Sequence, residues 1–229
     1  MRLIAGFYAA MFLGGMVGIG YREALPDSVS KDLVSFALGT FIYQGVVLVL
    51  VHIFLRQHEM SWSDGFGFRE PRLARTIFLG ALVSILVLPV ALSLAELTKR
   101  IIEAFGSSAQ MQQPVKMVME ATSIRQLIVH GLAAVIFAPI VEEIIFRGVL
   151  YPAVKRYADP RTALWGVSLL FAMTHMNLTA LIALTVLGII LTFLYETTRN
   201  LIAPIIAHSV FNAVNFAFMI FQRYSQGEL

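Results

Sequence analysis

Ala138-Pro139-Ile140-Val141-Glu142-Glu143-Ile144-Ile145-Phe146-Arg147-Gly148 is the stretch on which the reading of this chain turns. Two adjacent carboxylates and an arginine stand in a segment that is otherwise apolar from Leu132 to Val154, apart from small residues, Pro139 and Tyr151. A charged group at the centre of a membrane helix costs about 2.5–3.5 kcal/mol on insertion. Helical spacing accounts for part of the pattern, because Glu143 and Arg147 lie four apart, on one face, and can pair. Glu142 points about 100° away from Glu143 on a regular helix and has no such partner nearby. A carboxylate of that kind marks a functional site.

The rest of the chain supports the same environment. It is 58% hydrophobic and 14% charged, with a mean hydropathy of +0.78, against about 45–50% apolar and about 25% charged for soluble domains. These values indicate a multi-pass integral membrane protein without a large separate soluble domain, so residues 1–229 read as a single membrane domain. The net charge is +3 with a pI near 9.3, but the basic residues are scattered and never form a dense run, which argues against a nucleic-acid partner. Cysteine is absent. That excludes disulfides, a thiol nucleophile and a thiolate metal site.

Working outward, apolar runs long enough for helices occupy 3–20, 33–55, 76–97, 124–155, 162–175, 178–195 and 201–221. The first could pass for a signal peptide, but Tyr21-Arg22-Glu23 follows it without a small-x-small cleavage site. The expectation is an all-α fold, a polytopic transmembrane bundle of about seven to eight helices, the eighth coming from the amphipathic connection 98–122. That connection reads as a lid or as an inert interfacial helix. Gln44 and His52, inside the second run, read as inter-helix hydrogen-bonding groups. The segment 56–75, with Trp62, Phe66 and Phe68 among its arginines, reads as lying at the membrane interface. At about 1.5 Å per residue, 124–155 is too long for one perpendicular span. It should protrude, or break near Pro139 or Gly148. Basic residues at Arg2, Arg56, Arg69, Arg72, Arg75, Lys155, Arg156, Arg161 and Arg199 favour a cytoplasmic N-terminus.

Three further polar residues lie deep in apolar sequence: His175, and His208 with Asn212 four residues on. Each alone has an ordinary reading as a contact between helices. Together with Glu142 and Glu143 they are a set that a hydrolase needs. Peptide hydrolysis requires an activated water, a stabilised oxyanion and a proton for the leaving amine. A carboxylate in an apolar setting is a stronger base than one in water. Glu142 is the candidate base, with His175 holding or polarising the water and Glu143–Arg147 as a supporting ion pair. Glu142, His175 and His208 are also a possible zinc set. No His-Glu-x-x-His pair is present, and the spacing leaves metal-free and zinc-assisted hydrolysis both open. A proton or cation relay in a transporter would use similar residues, although no internal repeat is apparent.

The ordered pattern Glu142-Glu143-x-x-x-Arg147, Phe171-x-x-x-His175 and His208-x-x-x-Asn212 resembles that of the CPBP family of CAAX proteases and bacteriocin-processing enzymes. This family includes the type II CAAX prenyl endopeptidases. The resemblance covers the C-terminal part of the chain, with the catalytic helices in 124–221. It implies a glutamate-dependent intramembrane endopeptidase acting on a membrane-associated, lipidated or leader- or sorting-signal peptide. It also implies that His208 and Asn212 donate toward the oxyanion. The favoured mechanism needs no cofactor, while the family's long description as metalloproteases keeps zinc open. Expected partners are membrane lipid and a peptide or protein substrate, in the cell membrane if the source is prokaryotic. Family members tied to bacteriocin self-immunity add a non-catalytic alternative.

Overall fold

A computed structural model describes residues 2–24, 31–68, 73–109 and 111–227. The polar stretch with Pro26, Asp27 and Ser28, and the arginines Arg69 and Arg72, lie outside the described residues. Helices occupy every apolar run: α1 (Arg2–Ala24), α2 (Lys31–Gln57), α3 (Trp62–Phe66), α4 (Leu73–Ala104), α5 (Gln113–Met119), α6 (Ile124–Lys155), α7 (Pro160–Thr174), α8 (Leu181–Thr198) and α9 (Ile202–Ser225). No strand occurs among the described residues. The fold is an all-α membrane bundle, with α5 supplied by the connection between 98 and 122. Among the described residues, five helices (α2, α4, α6, α8 and α9) are long and apolar enough to cross a membrane. α7 forms where the sequence places it, but its 15 residues extend only about 22 Å at 1.5 Å per residue.

Local chemistry sets the helix starts. Ser123 opens α6 with a capping box, its hydroxyl accepting from the Gln126 N–H while Gln126 Oε1 accepts from the Ser123 N–H. Asp159 opens α7 ahead of Pro160, its carboxylate accepting from the N–H groups of Arg161 and Thr162 and from the Thr162 hydroxyl. Those bonds, led by the Thr162 hydroxyl, hold its carboxyl below the usual aspartate range.

The central helix α6 does not break. It remains helical over 32 residues, longer than a perpendicular span of roughly 20 residues requires. The strain of its prolines goes into two π-helical turns, Leu132–Phe137 and Ile144–Leu150. Each ends just before a proline's turn. The Ala138 N–H reaches back to the Ala133 carbonyl ahead of Pro139, and the Tyr151 N–H reaches back to Phe146 ahead of Pro152. Widening the helix by one residue is a common way to accommodate a ring that cannot donate and that crowds the preceding turn.

The bundle packs α1 on α2, α7 on α8, and α4 on both α8 and α9. α6 is enclosed by α2, α7 and α9. Val47 and Val51 of α2, Phe146 of α6, Phe171 of α7 and Leu187 and Leu191 of α8 meet in one buried core. The C-terminal part of α6 is held by α3. The ring of Phe66 lies where a β-carbon on Gly148 would come within 2.6 Å of it, so this crossing requires glycine. The interfacial segment read from sequence is therefore a capped single turn, with Ser61 as N-cap and Phe66 driven into the core.

Candidate active site

The two glutamates divide as their 100° separation requires. Glu143 is fully buried, whereas the Glu142 side chain keeps 29% of its surface exposed. Behind the surface, Glu143 Oε1 accepts from Arg147 Nη1 at 2.7 Å and from His208 Nδ1 at 2.8 Å. Glu143 Oε2 has no hydrogen-bond partner among the described residues. The pair expected from the i, i+4 spacing is therefore formed, and its carboxylate also holds the imidazole of a helix 65 positions away.

Arg147 is fully buried too, and its remaining donors go to α8. Nη2 donates to the Gly188 carbonyl at 3.0 Å and Nε to the Thr192 hydroxyl at 3.3 Å, while that hydroxyl donates onward to Gly188 at 2.8 Å. The guanidinium carbon stands 4.6 Å from the centre of the Phe171 ring, within cation–π range. Gly188 also lets α8 pack closely on α7, because a β-carbon there would lie 3.0 Å from that of Ser168. Sequence reasoning missed Gly188 and Thr192. Their signal was a small-x-x-x-polar seam inside an apolar helix, of the kind that marks close helix packing.

His208 carries the link to the exposed carboxylate. With Nδ1 donating to Glu143, its Nε2 lies 3.8 Å from Glu142 Oε2. That gap is longer than a direct hydrogen bond and suits a bridging water. His175, at the end of α7, donates from Nδ1 to the Phe171 carbonyl at 2.9 Å, which fixes the tautomer that leaves Nε2 as acceptor. Phe171 makes edge-on contacts with both histidines, at 5.0 Å from His175 and 5.6 Å from His208.

A cavity of about 400 Å³ opens on this cluster, lined by Glu142 and His175 together with Thr174, Tyr43, Gln44 and apolar side chains that include Phe7 and Phe146. Arg147, Glu143 and His208 do not line it. Asn212 stands apart from the carboxylates in its recorded contact. Its Nδ2 donates to the Ala134 carbonyl at 2.8 Å. That carbonyl is orphaned by the first π turn. The Ala138 N–H has gone to Ala133, and the next residue, Pro139, has no N–H to give. Asn212 thus completes the backbone that positions Glu142.

The zinc set considered from sequence was Glu142, His175 and His208. Among the described residues no group of three His, Cys, Asp or Glu side chains is placed to hold a metal ion.

Comparison with known proteins bears on the same segment. Residues 124–214 match the family described as "Type II CAAX prenyl endopeptidase Rce1-like". The chain is 35% identical over 77 residues to "Putative membrane peptidase YdiL" of Bacillus subtilis (strain 168), covering 34% of this chain and 32% of that protein. It is 31% identical over 94 residues to "Uncharacterized protein YpbD" of the same organism, covering 39% of this chain and 46% of that protein. The chain thus spans about a third of the length of one curated relative and under half of the other. No solved structure matches. The matched segment runs from α6 into α9 and contains Glu142, Glu143, Arg147, His175, His208 and Asn212, and in it this membrane protein is similar to the type II CAAX prenyl endopeptidase-like proteins.

Proposed function

We propose that the protein is a multi-pass intramembrane endopeptidase that hydrolyses a peptide bond of a membrane-associated substrate with a water activated by Glu142. The observation that carries this reading is the division of the cluster. Glu142 and His175 line the cavity, while Glu143, Arg147 and His208 form a buried support behind them. A water between Glu142 and the free Nε2 of His175 would donate one hydrogen to each and present its lone pair to the scissile carbonyl. Glu142 takes the proton as the carbon–oxygen bond forms, and returns it to the departing amine when the carbon–nitrogen bond breaks.

The oxyanion needs donors, and the resemblance implies His208 and Asn212. Glu143, ionised against Arg147, accepts the Nδ1 proton of His208. His208 can therefore donate from Nε2 only when it carries both protons. Asn212 has one amide hydrogen engaged at Ala134 and a second to offer. Donors of this kind lower the barrier by about 3–4 kcal/mol each. The favoured substrates are lipidated or leader- and sorting-signal peptides, and the cavity's apolar lining suits a chain delivered from lipid.

The test is cleavage by purified protein of three anchored probes: a farnesylated peptide ending in a CAAX sequence, a single-span peptide and an unlipidated leader peptide. Glu142→Gln should fold and purify as wild type yet lose at least 99% of turnover, since a neutral amide cannot take the proton. Survival of a tenth of the activity would remove Glu142 from this role. Dialysis against a strong chelator should leave wild-type cleavage intact. Loss on chelation with recovery on added zinc would replace this mechanism with a metal-assisted one.

A further inference from the structure

The cavity wall holds one strongly polar group that neither the family match nor the mechanism uses. Gln44, on α2, is 5% exposed and lines the same cavity as Glu142 and His175. Its Oε1 is buried with no hydrogen-bond partner, so the inter-helix bond expected from the sequence is not made through it. Two neighbouring donors on the wall are already engaged. The Thr174 hydroxyl donates to the Phe171 carbonyl, and so does His175 Nδ1. A buried amide oxygen without a partner is costly to the folded protein and persists where something outside the free chain uses it.

We propose that the Gln44 carboxamide is a substrate-positioning group that binds the main chain of an extended polypeptide laid along the cavity. A polypeptide entering an apolar cavity brings N–H and C=O groups that lose water and must be met again. A carboxamide presents an acceptor and a donor in one plane, the complement of one peptide unit. It does so without a charge, which beside Glu142 would disturb the base. The group comes from α2, outside residues 124–214. Register of the substrate is thus set by a helix that the family match does not include. This proposal rests on the endopeptidase reading for the identity of the ligand, but not for its test.

The experiment compares wild type with Gln44→Leu, using a fluorescent farnesylated peptide that ends in a CAAX sequence and single N-methyl derivatives of it at each amide. Binding is read by anisotropy, cleavage by product, and stability by thermal unfolding in detergent. A hydrogen bond to a substrate N–H predicts that Gln44→Leu weakens binding and raises KM by about tenfold with kcat within about twofold. One N-methyl derivative should weaken binding to wild type by a similar factor and have no further effect on Gln44→Leu. Because the free protein leaves the amide oxygen unpaired, Gln44→Leu should melt no lower than wild type. A purely structural role would lower its melting temperature and leave the methylation pattern unchanged, and that result overturns the proposal. So does a wild-type protein that fails to bind the probe. Probe that is bound but never cleaved removes the endopeptidase reading, while the binding comparison still decides Gln44. Should Gln44→Leu fail to fold, Gln44→Met takes its place with the same criteria.

Discussion

Arg147→Ala is the perturbation that tests the buried support most directly. It removes three donations: to Glu143 Oε1, to the Gly188 carbonyl and to the Thr192 hydroxyl. Gly188 keeps a donor, because Thr192 still reaches it at 2.8 Å. The uncompensated loss therefore falls on Glu143, which stays fully buried with its charge and only His208 as partner. Breaking such a pair from one side costs about 3–5 kcal/mol. For a chain of 229 residues each kcal/mol moves the melting temperature by about 2–4 °C. The expected drop is roughly 6–20 °C, read by thermal unfolding in detergent. The double variant Glu143→Leu with Arg147→Met removes both charges and refills the space. It should recover most of that loss, because a well-packed apolar pair replaces a buried ion pair at little cost. Activity should not return, since His208 has lost the carboxylate that holds its Nδ1. Arg147→Ala melting within about 2 °C of wild type would show that the pair is wet. A double variant less stable than the worse single would refute the reasoning altogether.

Two further outcomes follow from the geometry. Asn212→Leu leaves the Ala134 carbonyl without a donor and should cost about 1–3 kcal/mol of stability besides activity; stability equal to wild type would mean that another group serves that carbonyl. Asp159 has its carboxyl held below the ordinary value of 3.8 by its Thr162 and Arg161 bonds. Its contribution is present above that value and is lost as pH falls through the lower folded-state value. Asp159→Asn should keep the cap but flatten this acid limb of the unfolding curve, and an unchanged limb would assign the acid sensitivity elsewhere.

The helices were legible because the apolar runs are long and the caps are explicit: Ser123 with Gln126, and Asp159 before Pro160. The Glu143–Arg147 pair was legible because its partners share one helix face. The Glu143–His208 bond was not, since no local periodicity links residues on α6 and α9. Nor were Gly188 and Thr192, whose value lies in what they accept from another helix. Of the two alternatives for α6, protrusion or a break, the break near Pro139 is replaced by a π turn. A single sequence shows the proline but not whether a neighbouring side chain will satisfy the carbonyl it abandons. Gln44 illustrates the reverse case, a residue read as inter-helix glue whose amide oxygen meets no partner once its surroundings are seen.

The first π turn makes the location of Glu142 a matter of counting. One surplus residue in 132–137 advances everything beyond it by about 100° relative to the start of α6. Side chains there can be exchanged for other apolar ones with little consequence, so a substitution scan would report the stretch as tolerant. Deleting any single residue would leave a helix of nearly unchanged composition and restore a regular ladder. It would also swing Glu142 out of the cavity and carry Glu143 away from His208. The reading frame of the site is thus written in the length of an apparently featureless segment.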